Sequence, residues 1–232
     1  MTKWWNAPGM LGQPEEILAL HNTKQGKRLF LVGNGASLLD DAALLEGFQD
    51  EDTWTCNGFM HWEARPFEPT FFAISEERHI NRHGIGPYMG NPEFKAERFA
   101  IHWYKIRRKP FRWVSKAPEV TVMEAGMVGL DDELPPLPIS FCTQFYGIQL
   151  GAWMGYEEFY LVGNEFSKAG YAWEPAAQRN FEERNGVRVE KSSALMKIQI
   201  ERAGRKIIDC TPGGRLNEKG ILPFRPLSEV LR

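Results

Sequence analysis

Two apolar runs in this chain stop on the same letters. Leu29-Phe30-Leu31-Val32 and Phe159-Tyr160-Leu161-Val162 each end in Gly-Asn, at Gly33-Asn34 and at Gly163-Asn164. A short apolar run closed by glycine fits a strand buried on both faces, the usual condition of a parallel sheet. Parallel neighbours need long crossovers, and candidate helices lie between further runs of this kind. The patterns predict strands at 28–33, 53–57, 70–75, 99–104, 119–123, 158–163 and 206–210, and helices at 37–48, 141–155 and 190–203. In the helix at 141–155, Phe141, Phe145, Ile148 and Ala152 share one face. This alternation implies an α/β fold, a Rossmann-like parallel sheet flanked by helices, with an irregular middle or lid region. Ligands of open α/β sheets sit beyond the carboxyl ends of the strands. The two Gly-Asn stops are therefore expected to form two walls of one site.

The bulk properties narrow the class. At 232 residues the chain fits one α/β domain spanning 1–232, with 131–138 as an internal linker. A chain 43% hydrophobic and 25% charged is not mainly disordered, and a net charge of −2 gives no pull toward nucleic acid or acidic membranes. Cys56, Cys142 and Cys210 are too scattered for a zinc site or a disulfide framework, so no metal centre is expected. No apolar run approaches the length of a membrane span, and the first ten residues lack a secretory pattern. A cytoplasmic protein with no membrane span is the expectation.

Chemistry concentrates at the strand ends. Gly33-Asn34-Gly35-Ala36-Ser37 reads as a strand–loop–helix turn whose amides favour an anion and whose glycines let a phosphate approach. It is no Walker loop, since no Gly-Lys-Ser/Thr follows. Equally, it is a tight turn with Ser37 as a helix cap. Asn57, after Cys56, can fix a ribose hydroxyl or a base edge, or close an Asx-turn. Three Gly/Asn strand ends in one sheet suggest a nucleotide crevice. Glu165, at the end of its strand, is placed to take a proton or to cap a neighbouring amide. His79 and His83 share a helical face by spacing, and His79 suits an acid/base or acceptor role better than a metal ligand. Residues 102–113 pack five cations among aromatic rings, a pattern that either follows phosphates or forms a solvated charged face. Trp173, close to Tyr171, is the tryptophan best placed for a ligand lid.

The segments LFLVGNGASLLD, TWTCNGF, SFCTQFYGIQLGAWMGYEEFYLVGNEF and DCTPGG resemble, in order and spacing, the family 42 glycosyltransferases, the bacterial sialyltransferases. A looser similarity joins them to the domain-of-unknown-function 115 class, with its 6-hydroxymethylpterin pyrophosphokinase-like proteins. The resemblance covers about 28–60 and 139–216, which would form the nucleotide-binding sheet, and leaves 61–138 unplaced. It implies transfer of a sugar from a nucleotide-sugar donor, by inversion, without a strictly required metal. It also implies a nucleotide held by Gly33, Asn34, Gly35 and Ser37, by Asn57, and by Thr143 with Gln144. Gly163 ends the second wall, and Tyr171 would assist the leaving phosphate.

The chain departs from the family pattern at its base. No histidine follows His102, and Gly186-Val187-Arg188-Val189-Glu190-Lys191 stands where the catalytic loop histidine is expected. Ala36 replaces a proline, Glu165 an aspartate, and Ser167 a tyrosine. Glu165 and His79 are the residues expected to carry the proton chemistry. The acceptor (a glycan, a small molecule or a modified nucleic-acid base) is left open, as is a homo-oligomer. Two alternatives stand beside this reading. One is ATP-dependent pyrophosphoryl transfer, with Mg²⁺ as its cofactor held by Asp40, Asp41 or Glu165. The other is a catalytically silent nucleotide or nucleic-acid binding module.

Overall fold

The computed structural model describes residues 19–74, 94–102, 120–124, 142–167, 170–176 and 181–232. His79, His83, most of the cationic aromatic stretch at 102–113 and the linker at 131–138 fall outside them. Seven parallel strands form one sheet: β1 (Arg28–Val32), β2 (Asp52–Cys56), β3 (Phe71–Ile74), β4 (Glu97–His102), β5 (Val120–Glu124), β6 (Glu158–Val162) and β7 (Lys206–Asp209). Their spatial order is β5-β4-β3-β2-β1-β6-β7. The chain thus steps outward from β1 to β5, then returns to the other side of β1. The order reverses between β1 and β6, which is where open α/β sheets form their ligand crevice.

Alternation along the strands explains why both faces are dry. Leu29, Leu31, Trp54, Phe71, Phe159 and Leu161 face one core, while Phe30, Val32, Phe72, Tyr160 and Val162 face the other. The first core is covered by α1 (Thr143–Met154) and α2 (Glu183–Arg202). The second is covered by short helical turns at 36–50 and 57–61, and by the carboxyl-terminal residues Leu227 and Val230.

The helical elements depart most from expectation. The helix expected at 37–48 is broken into a 3-10 turn (Ala36–Leu39), one α turn (Ala42–Leu45) and a second 3-10 turn (Glu46–Asp50). Leu38, Leu45 and Phe48 still reach the core from these pieces. Burial of α1 extends beyond the face that Phe145, Ile148 and Ala152 share, since all twelve of its residues are buried. Its glycines allow close docking on the sheet. A Cβ at Gly147 would lie 2.6 Å from the Trp54 ring, and one at Gly151 would lie 2.8 Å from Leu29 and Phe159. Helix α2 begins seven residues before the expected 190, so the stretch 186–191 is helical and not a loop.

Candidate active-site cleft

The two Gly-Asn stops are neighbours in register. Leu31 pairs with Leu161 and Val32 with Val162, and the ladder continues as the Gly33 amide donates to the Val162 carbonyl (2.7 Å) and the Gly35 amide to the Gly163 carbonyl (3.0 Å). The strand ends press together so tightly that a Cβ on residue 33 would lie 2.2 Å from the Gly163 carbonyl oxygen. Gly163 has a φ of +65°, a left-handed bend that favours glycine, and its missing Cβ leaves room for the Leu38 side chain. These glycines serve packing within the protein. The Gly33 and Gly35 amides, expected to face a phosphate, donate here to the Val162 and Gly163 carbonyls.

Glu165 fills the place an anion would take. Its Oε1 accepts from the Ser37 amide (2.9 Å) and the Ser37 hydroxyl (2.6 Å). Its carboxyl group lies where a side chain on Gly35 would go, at 1.4 Å from the ideal Cβ position. Glu165 is 5% exposed, and its Oε2 is buried without a hydrogen-bond partner among the described residues. The carboxylate thus caps the turn through its amide, and Ser37 is the capped residue instead of the cap. Beyond it, Asp209 at the end of β7 accepts from the Thr211 amide (2.9 Å). Burial, with Glu165 nearby, pushes the Asp209 carboxyl up to about 6.

Open space lies one strand over, above β1 and β2. A cleft of about 500 Å³ is floored by Asn34, Asn57 and Gly58 and walled by His61, Tyr171, Trp173 and Glu174. Each wall has a local cause. Asn34 donates from Nδ2 to the Cys56 carbonyl (3.2 Å), which ties the end of β1 to the end of β2. Asn57 adopts a φ of +53°, a left-handed conformation that asparagine tolerates better than most residues. Its Nδ2 donates to Thr143 Oγ1 (3.0 Å) at the start of α1. The 3-10 turn that follows (Asn57–His61) sends Phe59 and Met60 into the core and leaves Asn57, Gly58 and His61 on the cleft.

The loop after β6 crosses over as a roof. Tyr171 forms an antiparallel bridge with Gly35, and the Ala172 amide donates to the Asn34 carbonyl (3.1 Å). The rings of Tyr171 and Trp173 stack at 4.7 Å with 8° between their planes, and His61 lies 5.5 Å from Trp173. The Trp173 ring edge sits 2.9 Å from where a Cβ on Gly58 would be, so glycine at 58 lets the roof seat on the end of β2.

Of the residues expected to bind a nucleotide, Asn34, Asn57 and Tyr171 line the cleft. Thr143 and Gln144 are buried behind it, with Gln144 Nε2 donating to the Val32 carbonyl (2.7 Å). Gly33, Gly35, Ser37 and Gly163 belong to the closed β1–β6 contact. Glu165 points into that contact and not into the cleft. His61 was not anticipated; it reaches the cleft from the last position of the 3-10 turn that Asn57 begins. Asp40 and Asp41 do not line the cleft, and no three His, Cys, Asp or Glu side chains gather as a metal site among the described residues. The thiols beneath the cleft floor stay protonated at neutral pH, since burial pushes Cys142 up to about 11 and Cys56 well up. No described helix is long and apolar enough to cross a membrane.

No family model matches this chain, and no curated protein matches it. Among solved structures the chain is similar to a mammalian sialyltransferase in complex with Gal-beta-1-3GalNAc-ortho-nitrophenol, at 12% identity over 82% of each chain and a TM-score of 0.39. A likeness that loose identifies no family and carries no argument about chemistry. The parallel sheet with its reversal between β1 and β6 makes this an α/β, Rossmann-like protein.

Proposed function

We propose that this protein is a glycosyltransferase that moves a sugar from a nucleotide-sugar donor to an acceptor, with the cleft above β1 and β2 as the place of transfer. One observation carries the reading. Two asparagines from two adjacent strand ends converge under an aromatic roof, beside the point where the strand order reverses. Asparagine amides offer donor and acceptor together, as sugar hydroxyls and base edges require. The order and spacing of the strand-end motifs, which resemble the inverting sialyltransferases, point the same way.

In an inverting transfer the acceptor oxygen attacks the anomeric carbon as the bond to the donor phosphate breaks. The acceptor proton must go to a base, and the nucleotide leaves with the bonding pair. We assign that base to His61, the imidazole on the cleft wall. Removing a positioned general base lowers turnover by about 10²-fold or more. The test is release of free nucleotide from a panel of nucleotide sugars, with and without candidate acceptors. His61→Gln should lose most of the turnover while keeping donor affinity, and the wild-type rate should fall on the acid side as the base is protonated, a limb that the variant lacks. No turnover of any donor, or an unchanged profile in the variant, would remove this reading.

A further inference from the structure

The end of β1 and the cleft beside it differ in the ligand chemistry they offer. At the β1 turn, the donors that would greet a phosphate, the Ser37 amide and hydroxyl, are already held by Glu165 Oε1. A second anion there would meet a buried carboxylate at close range, which is strongly unfavourable. In the cleft, the described lining holds amides, two stacked aromatic rings, one imidazole and the Glu174 carboxylate, and neither lysine nor arginine. Phosphate recognition normally draws on arginine, lysine or free backbone amides. Flat apolar rings beside amide groups suit a different partner, one that stacks by its face and hydrogen-bonds by its rim.

We infer that the cleft grips an uncharged, hydroxyl-bearing ring, and that the anion place at the end of β1 belongs to the protein's own Glu165 instead of a phosphate. This deepens the transferase reading, and the choice of probes rests on it. Two sources supply such a ring, the nucleoside of the donor and the sugar of the acceptor. In either case affinity resides in stacking and neutral hydrogen bonds, so it responds weakly to salt.

The experiment is calorimetry and saturation-transfer NMR on the full chain, in three arms. One arm uses cytidine, uridine, adenosine and guanosine with their 5′-monophosphates, the second neutral monosaccharides, and the third inorganic phosphate and pyrophosphate. At least one nucleoside or monosaccharide should bind, and the arm in which it does identifies the source. A nucleoside that binds should gain less than about threefold from its 5′-phosphate, because the described lining offers that phosphate neither lysine nor arginine. A 5′-monophosphate bound more than about tenfold tighter than its nucleoside would overturn the inference, as would competition by pyrophosphate or no ring binding at all. In Glu165→Ala, millimolar phosphate should raise the melting temperature through the vacated Ser37 donors, where it leaves the wild type unmoved. An equal response in both proteins would also overturn it. Ring binding without donor turnover would refute the transferase and keep this inference. Turnover with phosphate-driven binding would do the reverse.

Discussion

The same Leu-Val-Gly-Asn closes β1 and β6, yet the two asparagines end in opposite places. Asn164 is 5% exposed and acts as a clamp, its Nδ2 donating to the Leu31 carbonyl (2.7 Å) and the Val162 carbonyl (3.0 Å). Its own amide donates to Thr211 Oγ1 (3.0 Å), which brings in the loop after β7. Asn34 bonds outward to the end of β2 and lines the cleft. The difference begins at the glycine. Gly163 turns left-handed and folds its asparagine back into the sheet, whereas no such turn occurs at Gly33. Identical strand ends therefore become a structural pin and a ligand wall, according to one backbone angle and the neighbours on each side.

The most disruptive way to test that comparison is to separate the two ends. Gly33→Ala drives a methyl group onto the Gly163 carbonyl, and we expect a loss of about 3 kcal/mol or more in denaturant unfolding. A loss below about 1 kcal/mol would mean that the strand ends part easily and that the closed contact is not a fixed feature. Next comes the asparagine pair itself. Asn164→Ala removes two buried side-chain hydrogen bonds and should lose about 2–3 kcal/mol, against about 1 kcal/mol for the single bond lost in Asn34→Ala. Ligand affinity should fall in the reverse order. Equal stability losses would erase the distinction between pin and wall.

A smaller, pH-dependent effect sharpens the clamp side. The Asp209 carboxyl, ordinarily near 3.8, is raised to about 6 by burial. The folded protein therefore resists ionising it. Its contribution to stability is fully present below pH 4 and is lost as pH rises through 6. Asp209→Asn keeps the Oδ1 that accepts from the Thr211 amide and removes the charge. The variant should exceed the wild type in stability at pH 8 by up to about 2 kcal/mol and approach it near pH 4. A difference that stays flat across this range would show that Asp209 does not titrate in the folded state.

Much of the sheet was legible in the sequence because its strands are buried on both faces. Runs such as Leu29–Val32 and Phe159–Val162 have no solvent side to blur them, and their ends fall within a residue of expectation. The helical cover was less legible. The stretch 36–50 has leucines at helical spacing, but its buried Leu38, Leu45 and Phe48 are delivered by three short turns, which the same spacing allows. Helix α1 hid its environment, since Gly147 and Gly151 look like weak helix formers until the Trp54 and Phe159 rings occupy their places. At the site, sequence alone found the asparagines and the Tyr171–Trp173 roof. It could not reveal that Glu165 reaches back to Ser37, because that contact depends on a pairing between distant strands. His61 was hidden because the family resemblance places its histidine at 186–191, in what is here α2, and not after β2.

The neighbouring position of β1 and β6 also governs how the protein comes to exist. Residues 33–157, ~125 in all, must be looped out before the two strands can meet, and closing such a loop is unfavourable by about 1.5 kcal/mol more than closing one of 20 residues. Contacts this distant in sequence form slowly. During synthesis β1 waits with one hydrogen-bonding edge open until β6 has emerged, and that edge is a template for pairing with other chains. The contact that closes the β1 turn is thus the one most exposed to failure on the way to the native state. A fragment ending before residue 158 would carry every strand from β1 to β5 and still be prone to aggregate.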